Sequence, residues 1–303
     1  MINPHRQPKC IYRQALLLDK LLFHDPLYLF ATDRWYPENP VFASSPRETT
    51  PITQLTDKTY REQLANQSGH IDLDYWRHPE GVAVPDDELQ FLLVPDAVES
   101  AAIGDVAQQV HNYQVEHSGQ PEQITRALMV TMGGMLPGIL LYDHLVQGRA
   151  AGAPRIDFGT IGVSLYKGPG ERYEQPLVQH GISIPISGQT VLMVDDLGDR
   201  GDTMKFLTSH ILQSGAYKAL HLVLYMKPAA IEKCCADFYF GETPQDTWII
   251  TPRDRVETLV KRVPLWRQRG ASQQECRRRL VDIIGYPQAL VDQYLPAIFA
   301  RRQ

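Results

Sequence analysis

The stretch VLMVDDLGDRGDTMKFL, residues 191–207, begins as an unbroken apolar run and then becomes strongly acidic. A short apolar run of this kind is typical of a strand that is buried on both faces, as in a parallel sheet. Carboxylates at the end of a buried strand are costly unless something meets them, so the pattern predicts a bound ligand. The charged residues concerned are Asp195, Asp196, Asp199, Arg200 and Asp202.

Strand and helix patterns alternate on either side of this stretch. Apolar runs at 126–130, 155–166 and 219–226 indicate strands, whereas 97–119, 135–148 and 203–215 have apolar residues at helical spacing. Because parallel strands need long crossovers, this alternation predicts an α/β fold with a mostly parallel twisted sheet flanked by helices. In such sheets ligands bind beyond the carboxyl ends of the strands.

Three segments follow from these patterns. We expect an N-terminal extension of unassigned fold at 1–92, an α/β domain at 93–255 and a basic helical C-terminal segment at 256–303. From residue 253 onward there are eleven Lys and Arg residues against five acids. These helices could bind RNA, but a solvated face of helices packed on the domain is the favoured interpretation. Ser272 and Glu275 fit a capping box for a helix that ends at Gly285, and Pro287 could start another helix.

Composition favours a globular protein with a small-molecule partner. The 303 residues are 43% hydrophobic, the formal net charge is −5 and the pI is near 6.1, so nothing indicates attraction to nucleic acid or membranes. The apolar run at 15–30 is too polar to span a bilayer and predicts a packed helix. Four cysteines without CxxC spacing indicate reduced thiols in a cytoplasmic protein.

A second polar stretch, HIDLDYWRH at 70–78, raises the alternative of a metal site. His70, Asp72, Asp74 and His78 are residue types that bind metal ions, but pairing of the two histidines needs a turn. We therefore favour a polar strand edge over a metal site.

Three chemistries place carboxylates after an apolar strand. A nucleotide hydrolase also needs GxxxxGK[ST], and the chain contains no Gly-Lys pair. A phosphorylation receiver domain needs another element between its phosphoacceptor and its Lys-Pro, and Lys227-Pro228 follows too soon. The remaining chemistry is recognition of ribose 5-phosphate. Asp195 and Asp196 would accept hydrogen bonds from the ribose hydroxyls, and a helix start near Gly201 and Thr203 would favour the phosphate.

Four segments, in this order, resemble the type I phosphoribosyltransferases. VLMVDDLGDRGDTM resembles their phosphoribosyl pyrophosphate motif, MVTMGGMLPGILL their pyrophosphate loop, and SLYKGPGERYEQP their flexible loop. The most specific segment is YMKPAAIEKCCADFYFGETPQDTWIITPRD, which resembles the purine end of xanthine-guanine phosphoribosyltransferase. The resemblance covers about residues 93–255.

This resemblance implies transfer of ribose 5-phosphate from phosphoribosyl pyrophosphate to a purine base. Asp199 would be the general base or acid, Lys227 and the Ile249 backbone would bind the base, and Trp248 would stack on it. Magnesium (Mg2+) would lie near Asp195, Asp196 and Asp254. The phosphoribosyl group would contact Asp195, Asp196, Arg200, Gly201, Asp202 and Thr203, and pyrophosphate would contact Thr131, Met132, Gly133 and Gly134. Tyr166, Lys167 and Arg172 would belong to a closing loop.

The motif also departs from the family pattern. The usual Asp-Thr-Gly is Asp199-Arg200-Gly201 here, Asp202 adds a charge that repels phosphate, and Met132 stands where an arginine is common. Arg200 could offset this charge by pairing with Asp202 or with the phosphate. One hypothesis is an active 6-oxopurine phosphoribosyltransferase, expected to be a homo-oligomer, and a weaker variant of it takes an unusual base. The alternative is a noncatalytic relative that senses phosphoribosyl pyrophosphate or nucleotides.

Overall fold

A computed structural model describes residues 71–168 and 171–301, with backbone alone at 165–168 and 171–175. All of these residues belong to one compact unit, Lys58–Gln303. Its strands are β1 (Val82–Ala83), β2 (Gln90–Leu93), β3 (Ile124–Thr131), β4 (Asp157–Gly168), β5 (Glu171–His180), β6 (Thr190–Val194), β7 (Leu197–Gly198), β8 (Lys218–Met226), β9 (Phe238–Glu242) and β10 (Thr247–Ile250). Its helices are α1 (Leu73–Arg77), α2 (Asp96–Glu116), α3 (Met135–Tyr142), α4 (Asp202–Gln213), α5 (Pro228–Lys233), α6 (Arg255–Gln268), α7 (Gln273–Arg278) and α8 (Gln288–Ala300), with π-helical turns at Asp143–Gln147 and Arg279–Ile284.

The larger sheet confirms the predicted mostly parallel α/β architecture. Strands β4, β3, β6 and β8 lie side by side in that order and are parallel, and β5 pairs antiparallel with β4. Strands β7 and β9 both pair parallel with β8. Since the chain places β4 on one side of β3 and β6 on the other, the winding reverses between β3 and β6. Ligands bind beyond the carboxyl ends of strands at such a switch point.

Residues 191–194 of β6 are all apolar because both faces of the sheet are covered. Leu192 and Val194 contribute to the core beneath α2, whereas Val191 and Met193 contribute to the core beneath α4. All five residues of β6 are buried. The predicted central strand therefore has the boundaries and the two-sided burial that its sequence indicated.

A smaller sheet carries the C-terminal helices. Strands β1, β2 and β10 form it, and their apolar residues share one core with α6, α7 and α8. Asp87, in the β1–β2 connection, has a fully buried side chain that pairs with Arg262 and accepts a 2.6 Å hydrogen bond from Trp266 Nε1. These contacts fix the C-terminal helices against the strand that carries Trp248.

The predicted starts and ends of the C-terminal helices are largely confirmed. Ser272 Oγ accepts a 3.1 Å hydrogen bond from the Glu275 N–H at the start of α7, and the following π-helical turn ends at Gly285 with φ of +90°. Helix α8 begins directly after Pro287. The Glu275 carboxylate binds Arg278 and Arg279, so the expected capping box is only half formed.

The strand-edge interpretation of residues 70–78 is wrong. Leu73–Arg77 is a short helix that begins after Asp72, whose carboxylate accepts a 3.1 Å hydrogen bond from the Tyr75 N–H. Trp76 on this helix is buried in the main core. His70 and the predicted helix at 15–30 lie outside the described residues, as do the side chains of the proposed closing loop. Within the described part of the chain, no helix is long and apolar enough to cross a membrane.

Candidate functional site

The two adjacent carboxylates lie between β6 and β7, two short strands that both pair with β8. The Asp195 N–H donates to Leu222 O at 3.0 Å and the Leu224 N–H donates to Asp196 O at 3.1 Å, so the backbone stays attached to β8. Both side chains line a cleft at the carboxyl ends of the strands. Burial, together with the neighbouring Asp196, raises the pKa of Asp195 well above its usual value. The pair therefore favours a hydrogen-bond donor or a cation in the cleft.

The loop after β3 packs directly against this acidic pair. A Cβ at Gly133 would lie 2.3 Å from Asp195 Oδ1 and 2.6 Å from Asp196 Oδ1, and a Cβ at Gly134 would lie 1.8 Å from Val194 O. Only glycines permit this approach. The structure thus brings the predicted pyrophosphate loop, Thr131–Gly134, to the acidic pair, and the Met132 side chain is 66% exposed.

The predicted phosphate segment forms a turn at the start of α4. Gly201 has φ of +74° and precedes α4, whose first N–H groups have no partner within the helix. Asp202 forms an ion pair with Lys233 of α5. Of the two roles expected for Arg200, pairing with Asp202 is therefore wrong, since Lys233 offsets this charge; pairing with the phosphate stays a prediction. Arg200 is exposed and forms no ion pair within the described part of the chain.

Asp199 and Lys227, assigned to catalysis and base binding, are in direct contact. Lys227 Nζ lies 2.9 Å from Asp199 Oδ1, and the Lys227 side chain is 9% exposed. Gln245 Nε2 lies 3.3 Å from the same oxygen. Gln245 lies in the segment that resembles the purine end of the family, and no role was predicted for it. The three side chains form one polar group in the cleft, next to the acidic turn.

Trp248 and Ile249 also line this cleft. The Trp248 indole N–H donates to Thr258 Oγ1 at 2.9 Å, which fixes the ring against α6. The Arg262 guanidinium lies 5.5 Å and the Lys261 ammonium 5.9 Å from the centre of the ring. The half-buried indole thus has a fixed orientation at the edge of the cleft.

Arg253 is a site residue that sequence analysis missed. Its Nη2 lies 2.6 Å from Asp196 Oδ2 and 2.7 Å from Asp254 Oδ1, and it lines the cleft. Asp254 also accepts a 2.8 Å hydrogen bond from Thr251 Oγ1, and burial raises its pKa above the usual value. The only sequence signal was an arginine beside an acid directly after a strand.

Glu99 is a second residue that sequence analysis missed. It is buried on α2, and burial raises its pKa to about 7, with further contributions from the charges of Asp96, Asp196 and Asp254. Its signal was an acid among the apolar residues of an amphipathic helix. Glu99 is thus near enough to Asp196 and Asp254 for their charges to disfavour its ionised form.

The cleft has a volume of about 580 Å³, within the usual range for small-molecule sites. Its lining combines carboxylates, a helix start and an indole, which suits a ligand with hydroxyls, a phosphate and a flat ring. No group of three His, Cys, Asp or Glu suited to a metal ion occurs in residues 71–168 and 171–301. Carboxylate oxygens nevertheless suit Mg2+, which is commonly held by one or two carboxylates together with substrate phosphates. Asp195 and Asp196, adjacent in the cleft, fit that arrangement, and Arg253 holds Asp254 close to Asp196.

No protein-family model matches the chain. Xanthine-guanine phosphoribosyltransferase from Gluconobacter oxydans is 32% identical over 142 residues, which are 46% of this chain and 74% of that protein. Xanthine-guanine phosphoribosyltransferase from Idiomarina loihiensis is 30% identical over 133 residues, 44% of this chain and 73% of that protein. Among solved structures, a purine phosphoribosyltransferase from Pyrococcus horikoshii has a TM-score of 0.42 at 23% identity, covering 54% of this chain and 92% of that one. Hypoxanthine phosphoribosyltransferase from Trypanosoma cruzi has a TM-score of 0.42 at 18% identity, and the match covers 54% of this chain and 81% of that one.

Proposed function

Since the chain belongs to the type I purine phosphoribosyltransferases, which are pentosyltransferases, we propose that it transfers ribose 5-phosphate from phosphoribosyl pyrophosphate to a 6-oxopurine and releases pyrophosphate. The observation that carries the proposal is one cleft shared by the acidic pair, the turn at Gly201 and the indole of Trp248. The ribose hydroxyls, the 5-phosphate and the purine then each have a part of the cleft that can bind them. The 6-oxopurine preference is supported by the xanthine-guanine enzymes among the relatives.

In the proposed reaction the bond between C1 of the sugar and pyrophosphate breaks as a purine nitrogen attacks C1. Asp195 and Asp196 accept hydrogen bonds from the ribose hydroxyls and stabilise the oxocarbenium-like charge. N–H groups of Gly201–Thr203 hold the 5-phosphate. The glycine loop at Gly133 and Gly134 lies beside the acidic pair, where backbone N–H groups suit the leaving pyrophosphate.

Other residues of the cleft hold and deprotonate the purine. Trp248 stacks on the ring, the Ile249 backbone bonds its edge, and Lys227 donates a hydrogen bond to the 6-oxygen. Asp199, 2.9 Å from Lys227, accepts the proton from the attacking nitrogen. Asp195, Asp196 and Asp254 would hold Mg2+, which supplies charge neutralisation on the pyrophosphate.

A panel of guanine, xanthine, hypoxanthine and adenine, each with phosphoribosyl pyrophosphate and Mg2+, tests the proposal by mass spectrometry of the products. We expect a nucleotide with at least one 6-oxopurine, and its loss in Asp199→Asn. Asp246→Asn is the matched control because Asp246 is exposed and does not line the cleft. No product with any base would overturn the proposal, and binding of the donor without turnover would favour the noncatalytic alternative.

A further inference from the structure

Arg253 lies among three carboxylates at the edge of the cleft. Besides its contacts with Asp196 and Asp254, its Nη1 lies 3.8 Å from Glu257 Oε2. Asp196 and Asp254 are 17% and 14% exposed, so their shared contact with the guanidinium is largely screened from water. The hydrogen bond that Arg253 Nη2 donates to Asp196 Oδ2 is charge-assisted and therefore stronger than a neutral one, and the contact with Asp254 is a close ion pair.

The guanidinium also has donor capacity that the protein does not use. Arg253 Nε is buried and has no hydrogen-bond partner in the described part of the chain. Nη1 is too far from Glu257 for a hydrogen bond. A planar guanidinium with unused donors is suited to phosphate oxygens, which it can bind in pairs. The pyrophosphate loop offers Met132 where a cation is common, and Arg253 is a cation in direct contact with Asp196 of the acidic pair.

We propose that Arg253 determines when a divalent ion enters this site, an inference that rests on the proposed function. Because it bridges Asp196 and Asp254, it competes with free Mg2+ for their oxygens. Pyrophosphate brings its own negative charge, so Mg2+ and pyrophosphate together displace the guanidinium from the carboxylates. Arg253 then donates to pyrophosphate oxygens. The metal is thereby admitted with the substrate and not before it.

Calorimetric titration of the full chain tests this exchange with two separate ligands, Mg2+ alone and pyrophosphate in the presence of EDTA. In Arg253→Gln we expect Mg2+ alone to bind at least about tenfold more tightly, because a repelling charge at contact distance is gone. We expect metal-free pyrophosphate to bind at least about tenfold more weakly, because its cation is lost. A merely structural role would weaken both. Arg277→Gln is the control, since Arg277 pairs with Asp292 and neither residue lines the cleft.

Thermal melts establish that each variant is folded. Unchanged or weaker Mg2+ binding by folded Arg253→Gln would overturn the inference, as would unchanged binding of pyrophosphate. If Arg253→Gln does not fold, Arg253→Lys tests the inference. Because lysine keeps the positive charge, we expect the affinities for Mg2+ and for metal-free pyrophosphate to stay within about threefold of the original protein. A tenfold tightening of Mg2+ binding in Arg253→Lys would refute the charge argument. Neither titration requires a nucleobase or turnover, so its result does not depend on the outcome of the nucleobase panel.

Discussion

Replacing Gly133 with alanine perturbs the acidic pair without changing any charge. The new methyl carbon would lie 2.3 Å from Asp195 Oδ1, so that oxygen must move by about 1.1 Å to reach the 3.4 Å of ordinary van der Waals contact. Asp196 Oδ1 at 2.6 Å must move as well. A misplacement of about 1 Å at a positioning group can reduce activity about 10²-fold. We therefore expect kcat/KM for nucleotide formation to fall about a hundredfold in Gly133→Ala.

The assay is nucleotide formation with the best base of the panel, accompanied by a thermal melt. Gly104→Ala is the matched control, because nothing lies within 4 Å of a Cβ built at Gly104 and this residue lies inside α2. We expect the control to keep full activity and to gain up to about 1 kcal/mol of stability. A folded Gly133→Ala with kcat/KM within twofold of the original would refute the claim that the glycine loop positions the carboxylates.

Four further substitutions separate chemistry from stability. Asp199→Asn should lower kcat by about 10² to 10⁴ with little change in Tm; retained turnover would exclude it as the proton acceptor. Trp248→Leu should raise KM for the base about tenfold and leave KM for the sugar donor unchanged, whereas equal changes would argue against stacking. Burial raises the pKa of Glu99 from 4.5 to about 7, so the folded state loses stability as pH rises through this interval. Glu99→Gln should therefore be up to roughly 3 kcal/mol more stable than the original protein at pH 8 and equal at pH 4, and a pH-independent difference would contradict this. Burial alone would raise the pKa of Asp87, but hydrogen bonds from Arg262 and Trp266 outweigh it and lower that pKa. Asp87→Asn should cost about 3 to 5 kcal/mol in urea unfolding at pH 7, and a loss below about 1 kcal/mol would show that the buried pair is dispensable.

The sequence predicted the parts of the site that depend on local pattern. Strand β6 is apolar on both faces, so its boundaries and its central place in the sheet follow from residues 190–194 alone. The acidic pair and Gly133 come together because β3 and β6 are parallel neighbours whose carboxyl ends meet. A strand followed by polar residues therefore indicates both the edge of the sheet and the position of the cleft.

Contacts between distant side chains were not predictable from the same patterns. Arg253 and Asp196 are 57 residues apart, and Lys233 and Asp202 are 31 apart, so no spacing rule connects them. Arg200 was the expected partner of Asp202 because it is near in the chain. Residues 73–77 resembled a strand because polar and apolar residues alternate there. The burial of Trp76 and the helix cap at Asp72 stabilise a short helix instead.

A crystal structure with a 6-oxopurine nucleotide, Mg2+ and pyrophosphate tests the central claim most directly. We predict the ribose hydroxyls at Asp195 and Asp196, the 5-phosphate at the N–H groups of Gly201–Thr203, and the purine ring stacked on Trp248. A nucleotide whose phosphate lies away from the start of α4, or whose base does not contact the indole, would contradict the account.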